Sequence, residues 1–543
     1  MSASTTVQGQ GNGDTVSAAD GARPTEPAAG SATQPVAGPG IEPSGVVAVV
    51  GTGTMGQGIA QVALVAGHPV RLYDSAPGRA AEAVKAVAGR LDRLVEKGRL
   101  DAAEREAALG RLHAADELAG LADTALVIEA IVERLEVKQQ LFADLEQVVG
   151  ADTVLATNTS SLSVTAIAGG LRLPGRFVGL HFFNPAPLLP LVEVVSGFAT
   201  APATATRAYE TMKRWGKTPV RCADTPGFIV NRVARPFYAE ALRIFEEGAA
   251  DPATIDAALR ECGGFRMGPF ELTDLIGQDV NEAVTRSVWE SFFQDPKFTP
   301  SLAQRRLVES GRLGRKTGHG WFPYAEGAER SEPHTAPPAE APARITVRGD
   351  LGPAEPLVGL FERAGIAVRR KRGAGIIELP GGAELALADG ETAFEYHQDE
   401  IVHFDLALDY EKASRIVLSA RRGIDPDVLA EAVGLFQALG KQVSVIGDVP
   451  GMIVARTVAM LADVAADAVD RGVASAEDVD TAMRLGVNYP VGPLEWAARI
   501  GHARVRDLLG ELHERYPTGR YAPSLALARR ASEEEAAEAE ESR

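Results

Sequence analysis

Two stretches of this chain repeat at one fixed distance. Met212 to Gly227 reads MKRWGKTPVRCADTPG and Phe436 to Gly451 reads FQALGKQVSVIGDVPG, while GPFEL from Gly268 returns as GPLEW from Gly492. The offset is 436 − 212 = 224 in the first case and 492 − 268 = 224 in the second. An ungapped spacing held across both segments implies a duplicated helical domain, so the fold must bury the same kind of apolar face twice. Between the copies, Glu326 to Ala343 carries Pro333, Pro337, Pro338 and Pro342 and reads as an extended, disorder-like linker.

At 543 residues the chain exceeds what one hydrophobic core supports. Residues 1–44 are rich in Gly, Ala, Ser, Thr and Pro without a periodic apolar face and read as a disordered tail; residues 531–543, dense in glutamate, could extend a final helix but read better as a solvated acidic terminus. The net charge of −18 argues against nucleic acid as the main partner, so any phosphate must be met by a local device. No apolar run approaches the roughly 18 residues of a membrane span, and no basic segment followed by an apolar core opens the chain, so a cytoplasmic location and no membrane partner are expected. Cys222 and Cys262 occur without CxxC or clustered histidines, which indicates reduced structural thiols and no metal site.

The strongest local signal is nucleotide binding. Val46 to Val50 is a β-branched run leading into Gly51-Thr-Gly53-Thr54-Met55-Gly56, and Met55, Ile59, Val62 and Ala66 then recur at helical spacing. Gly67 ends that helix, Val70 to Tyr73 starts a second strand, and Asp74 closes it. Gly51 permits the tight turn, Gly53 lets backbone approach a pyrophosphate, and Gly56 lets helix and strand pack closely. The phosphates would sit on the helix N-terminus. Asp74 would accept from the adenosine ribose hydroxyls and repel a 2′-phosphate, which favours NAD over NADP. FAD shares the fingerprint and stays open as the alternative, as does a purely structural glycine turn.

Downstream follow Val127-Ile-Glu-Ala-Ile-Val-Glu133, a helix bearing Lys138, Thr157-Asn-Thr-Ser160-Ser-Leu, Gly179-Leu-His181-Phe-Phe-Asn184-Pro185, and Asp224-Thr-Pro-Gly-Phe-Ile-Val-Asn231-Arg232. In this order the chain resembles the L-3-hydroxyacyl-CoA dehydrogenases, which share the NTSSL, HFFNP and DTPGFIVNR motifs and a twelve-residue His-to-Glu spacing, met here by His181 and Glu193. The resemblance spans Val46 to Tyr324 closely and the second half more weakly. It is nearest to a longer bacterial branch with a duplicated C-terminal region, which includes 3-hydroxybutyryl-CoA and 3-hydroxyadipyl-CoA dehydrogenases. It implies an α/β chain: a Rossmann-like doubly wound sheet over 45–223, an all-α substrate and dimerisation domain over 224–325, a linker over 326–343, a degenerate α/β segment over 344–448, and a second all-α copy over 449–530.

As chemistry, alcohol oxidation needs a base for the hydroxyl proton while the C3 hydride leaves, and imidazole titrates near working pH. Glu193, inside the apolar run Leu191-Val-Glu-Val-Val195, needs a partner that His181 would supply. Taken singly, His181 reads as a core histidine and Glu193 as a surface carboxylate; spacing and motif together favour the pair. The resemblance gives Ser160 and Asn231 substrate contacts near the reacting carbon, against plainer readings as turn or cap residue and as helix-surface amide. It gives Glu133, Lys138, Ser160, Asn184 and Lys316 cofactor-side positions, although Lys138 reads equally as a solvated charge on a helix face. Asn184 is also counted with the substrate contacts. Arg90, Arg93 and Lys97 share one predicted helix face, and only Lys97 falls on a coenzyme A position; Asp92 and Glu96 make an ordinary charged face an equal reading.

The second copy carries Ala455 where the offset calls for the counterpart of Asn231, and no GxGxxG, TNTSS or HFFNP follows the linker, His403 being a faint echo. One active site is expected, with the repeat supplying contacts that a second subunit otherwise makes; a homodimer remains compatible. Two competing functions stay open: dehydrogenation of a free hydroxy acid or sugar acid on the same nucleotide unit, and a non-catalytic nucleotide-binding scaffold.

Overall fold

The computed structural model describes residues 39–329, 331–395 and 400–541. Alternating β-branched strands and helices build an eight-stranded sheet: β1 (Val46–Val50), β2 (Val70–Tyr73), β3 (Leu112–Ala114), β4 (Thr124–Glu129), β5 (Val154–Thr157), β6 (Phe177–Phe182), β7 (Leu191–Ser196) and β8 (Thr218–Ala223), in the order β3-β2-β1-β4-β5-β6-β7-β8. Only the β6–β7 pair is antiparallel. The order reverses at β1, the switch point where doubly wound sheets bind ligands. The sheet is covered on both faces. Val47 and Val49 enter one core with Ile59 and Leu72, while Ala48 and Val50 enter a second that continues through both helical repeats to the far end of the chain. Leu180 and Val194 lie in the first core, so the alternation of side chains turns His181 and Glu193 toward the helical domains.

A seven-stranded sheet follows: β9 (Arg344–Arg348), β10 (Ala367–Lys371), β11 (Ile376–Glu378), β12 (Glu384–Leu387), β13 (Ile401–Phe404), β14 (Arg415–Ala420) and β15 (Gln442–Ile446), in the order β10-β9-β11-β12-β13-β14-β15. Strands β12 to β15 pair parallel, antiparallel and parallel, the same sequence of pairings as β5 to β8. The degenerate segment is therefore a reduced copy of the first sheet.

The helices repeat as well. Pro269–Ile276 and Gln278–Ser291 return as Pro493–Ile500 and His502–Arg515, since 493 − 269 = 224 and 502 − 278 = 224. The local cause is the same each time. Asp256 accepts from the backbone N–H groups of Phe270 and Glu271, and Asp480 from those of Leu494 and Glu495, which satisfies helix N-termini that otherwise lack partners. The carboxylates come so close that a Cβ at Gly268 or Gly492 would lie 2.2 or 2.1 Å from their Cγ atoms, which is why GP opens both copies.

Three terminal and linking segments depart from the sequence reading. Residues 1–38 and 542–543 lie outside the described residues, but Pro39–Ser44 belong to the fold: Ile41 is buried and donates its N–H to Thr211 Oγ1 at 2.9 Å, and Arg214 pairs with Glu42. The proline-rich segment is extended as expected, yet it packs rather than floats. Ala336 N–H bonds Val443 O at 2.7 Å along the edge of β15, and Arg415 and Ser444 hold the His334 carbonyl. It covers an edge strand that would otherwise expose unpaired backbone. The glutamate-rich end is the helix Leu525–Glu541, which buries Leu527 and Ala531, while Glu534 accepts from Ala503 N–H and Glu535 pairs with Arg506.

Between the repeats, the helix Arg235–Glu246 lies against Val454–Asp470 through a buried polar cluster. Arg456 donates to Glu240 at 3.0 Å and to Glu247 at 2.8 and 2.9 Å; Arg520 and the Tyr521 hydroxyl also donate to Glu240. Arg232, which precedes Arg456 by the offset of 224, crosses the other way to Asp467 at 2.8 Å. Burial alone would raise the Glu240 carboxyl, but Arg520 and Arg456 hold it down at about 2. Its ionisation therefore stabilises the fold above the ordinary carboxylate pKa, and that contribution is lost as pH falls from about 4.5 through about 2. Glu240→Gln should cost about 3–5 kcal/mol near neutral pH, since Arg520 stays buried beside a neutral group while Arg456 keeps Glu247. In urea unfolding series, the gap from the parent should narrow as the pH is lowered through that window.

Candidate active site

The nucleotide end is built as the spacing predicts. Gly51 has φ +94°, and a Cβ on Gly56 would lie 1.9 Å from Gly51 O, so neither tolerates a side chain. A Cβ on Gly53 would meet nothing within 4 Å, which leaves open backbone at the N-terminus of the helix Thr54–Val65, where Thr54 and Met55 form its first turn. Asp74, at the end of β2, accepts from Thr52 N–H at 2.9 Å and Thr52 Oγ1 at 2.7 Å, and its other oxygen accepts from Ala76 N–H. Although burial opposes it, these donors hold the Asp74 carboxyl below its ordinary range, so it stays an acceptor. Beside it opens a cavity of about 460 Å³ lined by Tyr73, Asp74, Ile131, Val137 and Leu141 among others. Its apolar walls suit an adenine ring, and the residues present fit a dinucleotide.

The His181 and Glu193 segments are brought together by sheet register. His181 on β6 stands directly opposite Glu193 on β7. His181 Nδ1 lies 2.6 Å from Glu193 Oε2, and the imidazole packs against the rings of Phe183 and Phe228 at 4.5 and 5.8 Å. The second Glu193 oxygen, Oε1, accepts from Ile229 N–H at 3.0 Å and Val230 N–H at 2.9 Å, the start of the first helix of the helical domain. Because an ionised carboxylate only accepts, Nδ1 carries the hydrogen and Nε2 is left with its lone pair.

Ser160 and Asn231 also meet: Asn231 Nδ2 donates to Ser160 O at 3.4 Å. Glu133 gathers the Ser160 loop, accepting from Ser160 N–H at 3.0 Å and from the Thr159 and Ser161 hydroxyls. Against burial, Lys138 and these donors keep the Glu133 carboxyl below its ordinary range. Lys138 is not a solvated charge: it is 1% exposed and paired with Glu129 and Glu133, so it braces this loop from below. Asn184 is exposed, just beyond His181 at a cis Asn184–Pro185 bond. Lys316 pairs with Asp279 on the helical domain. Arg90 reaches Gln57 on the nucleotide helix at 3.0 Å, and Lys97 is exposed at the end of the helix Arg79–Glu96.

Some supports were not read from the sequence. Asn158 Oδ1 accepts from Phe182 N–H at 2.9 Å and so ties the Ser160 loop to the His181 strand. Asp224 accepts from Ser163 Oγ, Val164 N–H and Thr165 N–H, tying the DTPG turn to the same loop. Its repeat counterpart, Asp448, accepts from Ala393 and Phe394 N–H groups, a parallel that the fixed offset already contained.

A dinucleotide loop on the sheet that also presents a buried imidazole to its helical neighbour is the arrangement of a nicotinamide-dependent oxidoreductase. Comparison with known proteins narrows the class. Residues 46–225 match the 3-hydroxyacyl-CoA dehydrogenase NAD binding domain, residues 227–324 and 451–543 both match the C-terminal domain of that family, and residues 385–450 match the 3-hydroxybutyryl-CoA dehydrogenase reduced Rossmann-fold domain. The chain is 46% identical to 3-hydroxyadipyl-CoA dehydrogenase of Escherichia coli over 89% of its own length and 97% of that protein. It is 40% identical to the mitochondrial hydroxyacyl-coenzyme A dehydrogenase of Homo sapiens over 51% of this chain and 90% of that one. A crystal structure of 3-hydroxybutyryl-CoA dehydrogenase from Escherichia coli matches with TM-score 0.83 and 44% identity, covering 91% of this chain and 99% of that one. The chain belongs to the 3-hydroxyacyl-CoA dehydrogenase family and is an oxidoreductase with NAD as its cofactor.

Asp74→Ala should raise the KM for NAD about tenfold or more, the worth of hydrogen bonds to a charged acceptor, and should let NADP be used. Cofactor titrations in parallel check this, and an unchanged NAD preference would move the ribose contact elsewhere.

Proposed function

We propose that the chain catalyses the reversible oxidation of (S)-3-hydroxyacyl-CoA to 3-oxoacyl-CoA, with His181 and Glu193 as its acid–base pair. NAD, when bound, takes up the hydride from C3. His181 Nε2 accepts the proton of the 3-hydroxyl, and returns it in the reverse direction. Glu193 keeps Nδ1 protonated and offsets the imidazolium charge that develops. Asn231 and Ser160 hold the 3-oxygen and the thioester end, where partial negative charge grows. Exposed Lys97 and Asn184 serve the coenzyme and cofactor sides, as the family positions suggest.

The observation that carries this reading is the 2.6 Å contact between His181 Nδ1 and Glu193 Oε2, with the other Glu193 oxygen already committed to Ile229 and Val230. A surface carboxylate or an idle core histidine would not be held in this way. The setting we infer is cytoplasmic breakdown of acyl-CoA thioesters, derived from fatty acids or from cleaved aromatic rings.

His181→Ala should reduce kcat at least about a hundredfold while leaving the KM for NAD nearly unchanged. The measurement is NADH oxidation with acetoacetyl-CoA as substrate. Normal turnover in the variant would end the assignment of the base.

A further inference from the structure

Of the six arginines buried among the described residues, five have a carboxylate within ion-pair distance: Arg176 with Glu146, Arg232 with Asp467, Arg415 with Glu261, and Arg456 and Arg520 with Glu240. Arg235 is the sixth. It is 5% exposed; Nη1 donates to Thr285 Oγ1 at 3.1 Å, the guanidinium lies 4.9 Å over the Tyr238 ring, and Nε is buried without an acceptor. A buried guanidinium without a counter-ion is costly, so its complement is expected from outside the chain.

Its position says what that complement is. The backbone stays helical from Val230 through Ala234, at φ −77° and ψ −11°, into the helix Arg235–Glu246. Arg235 therefore stands just over one turn beyond Asn231 on the same face, about 6 Å along the axis. The second repeat closes over this point. Tyr489 is buried, its hydroxyl has no partner, and its ring lies 5.7 Å from that of Phe237 and 5.0 Å from that of Phe265. A Cβ on Gly486, three residues earlier, would lie 2.7 Å from Leu191 and 3.1 Å from Val230, beside the His181 loop. A cavity of about 250 Å³ opens on the Tyr238 and Thr285 side of Arg235, lined also by Arg243, Glu246, Ser301 and Gln304. The helix copy supplies an independent sign. At the offset of 224, Asn231 becomes Ala455 and Arg235 becomes Ala459, whereas Arg232 remains as Arg456.

We infer that Arg235, with the Tyr489 hydroxyl, receives a carboxylate at the far end of the acyl chain, making the preferred substrate a 3-hydroxy dicarboxylic acyl-CoA. This rests on the acyl-CoA reading above. In a six-carbon diacid the distal carboxyl lies three carbons past C3, a reach comparable to one helical turn. Bidentate guanidinium–carboxylate pairing fixes that end in register with the reacting carbon. A methyl terminus at the same place would leave the guanidinium desolvated and unpaired, which is how a polar pocket rejects an apolar analogue.

The test compares kcat/KM for 3-hydroxyadipyl-CoA and 3-hydroxyhexanoyl-CoA, equal in length and differing in the terminal group. The parent should favour the diacid at least about tenfold. Arg235→Met should lower the diacid value about a hundredfold while the hexanoyl value holds or rises, with the KM for NAD unchanged, and Arg235→Lys should recover part of the loss. Tyr489→Phe, a milder change, should narrow the preference severalfold. Equal use of the two substrates by the parent, or proportional loss of both in Arg235→Met and in Tyr489→Phe, would overturn the inference. Failure of the parent to turn over either thioester would instead defeat the acyl-CoA reading on which it rests.

Discussion

One carboxylate joins the two halves of the working unit. Glu193 uses Oε2 for His181 and Oε1 for the first backbone N–H groups of the helical domain. The same side chain therefore sets the imidazole tautomer, caps a helix and fixes the helical domain against the sheet. Asn231 lies in that capped helix, so its distance to Ser160 follows from the cap as much as from the loop. Positioning by shared bonds is rigid, because shifting any one element breaks a buried hydrogen bond elsewhere.

The reduced copy separates these duties. Asp405 accepts from Ile453, Val454 and Ala455 N–H groups, two of which answer to Ile229 and Val230 at the offset of 224, so the cap has been kept. At that offset His181 becomes Asp405, just past β13, and Glu193 becomes Val417 on β14, while His403 stands two residues before Asp405 and faces Ser419. The capping carboxylate therefore occupies the position that His181 holds in the first copy. Burial pushes the His403 imidazole down in pKa, against the nearby carboxylates Asp389, Asp448 and Glu395. The repeat thus keeps the part of the Glu193 arrangement that holds domains together and has lost the part suited to proton transfer.

Much of this was legible in the linear sequence because it is local or periodic. A strand, a glycine turn and a helix announce themselves within thirty residues, and the twelve-residue step from His181 to Glu193 suits two antiparallel strands joined by a loop. The fixed offset revealed the duplicated helices. What escaped depends on partners distant in sequence. Lys138 looks like any charge on a helix face until Glu129, at the end of β4, is known to lie beneath it. A proline-rich segment looks unstructured until β15 proves to be an edge strand that it can cover. Glutamates at the C-terminus look solvated until Leu527 and Ala531, one turn apart, are seen to anchor their helix. Composition reports what a segment can do alone, and each of these segments acts with a partner.

Duplication within a chain also changes what an interface can evolve. Two identical subunits meeting on a two-fold axis must present the same residue twice, so a change that favours one site is imposed on both. Here the facing helices are free to differ. Arg232 and Arg456 still cross in both directions, to Asp467 and to Glu240 and Glu247, which keeps the two repeats in register. Around that frame the polar residues have been redistributed: Asn231 and Arg235 remain on one side, Ala455 and Ala459 stand on the other, and Tyr489 of the second copy leans over the first. The second repeat can therefore differ from the first at the positions where the two face each other, which an identical partner could not do.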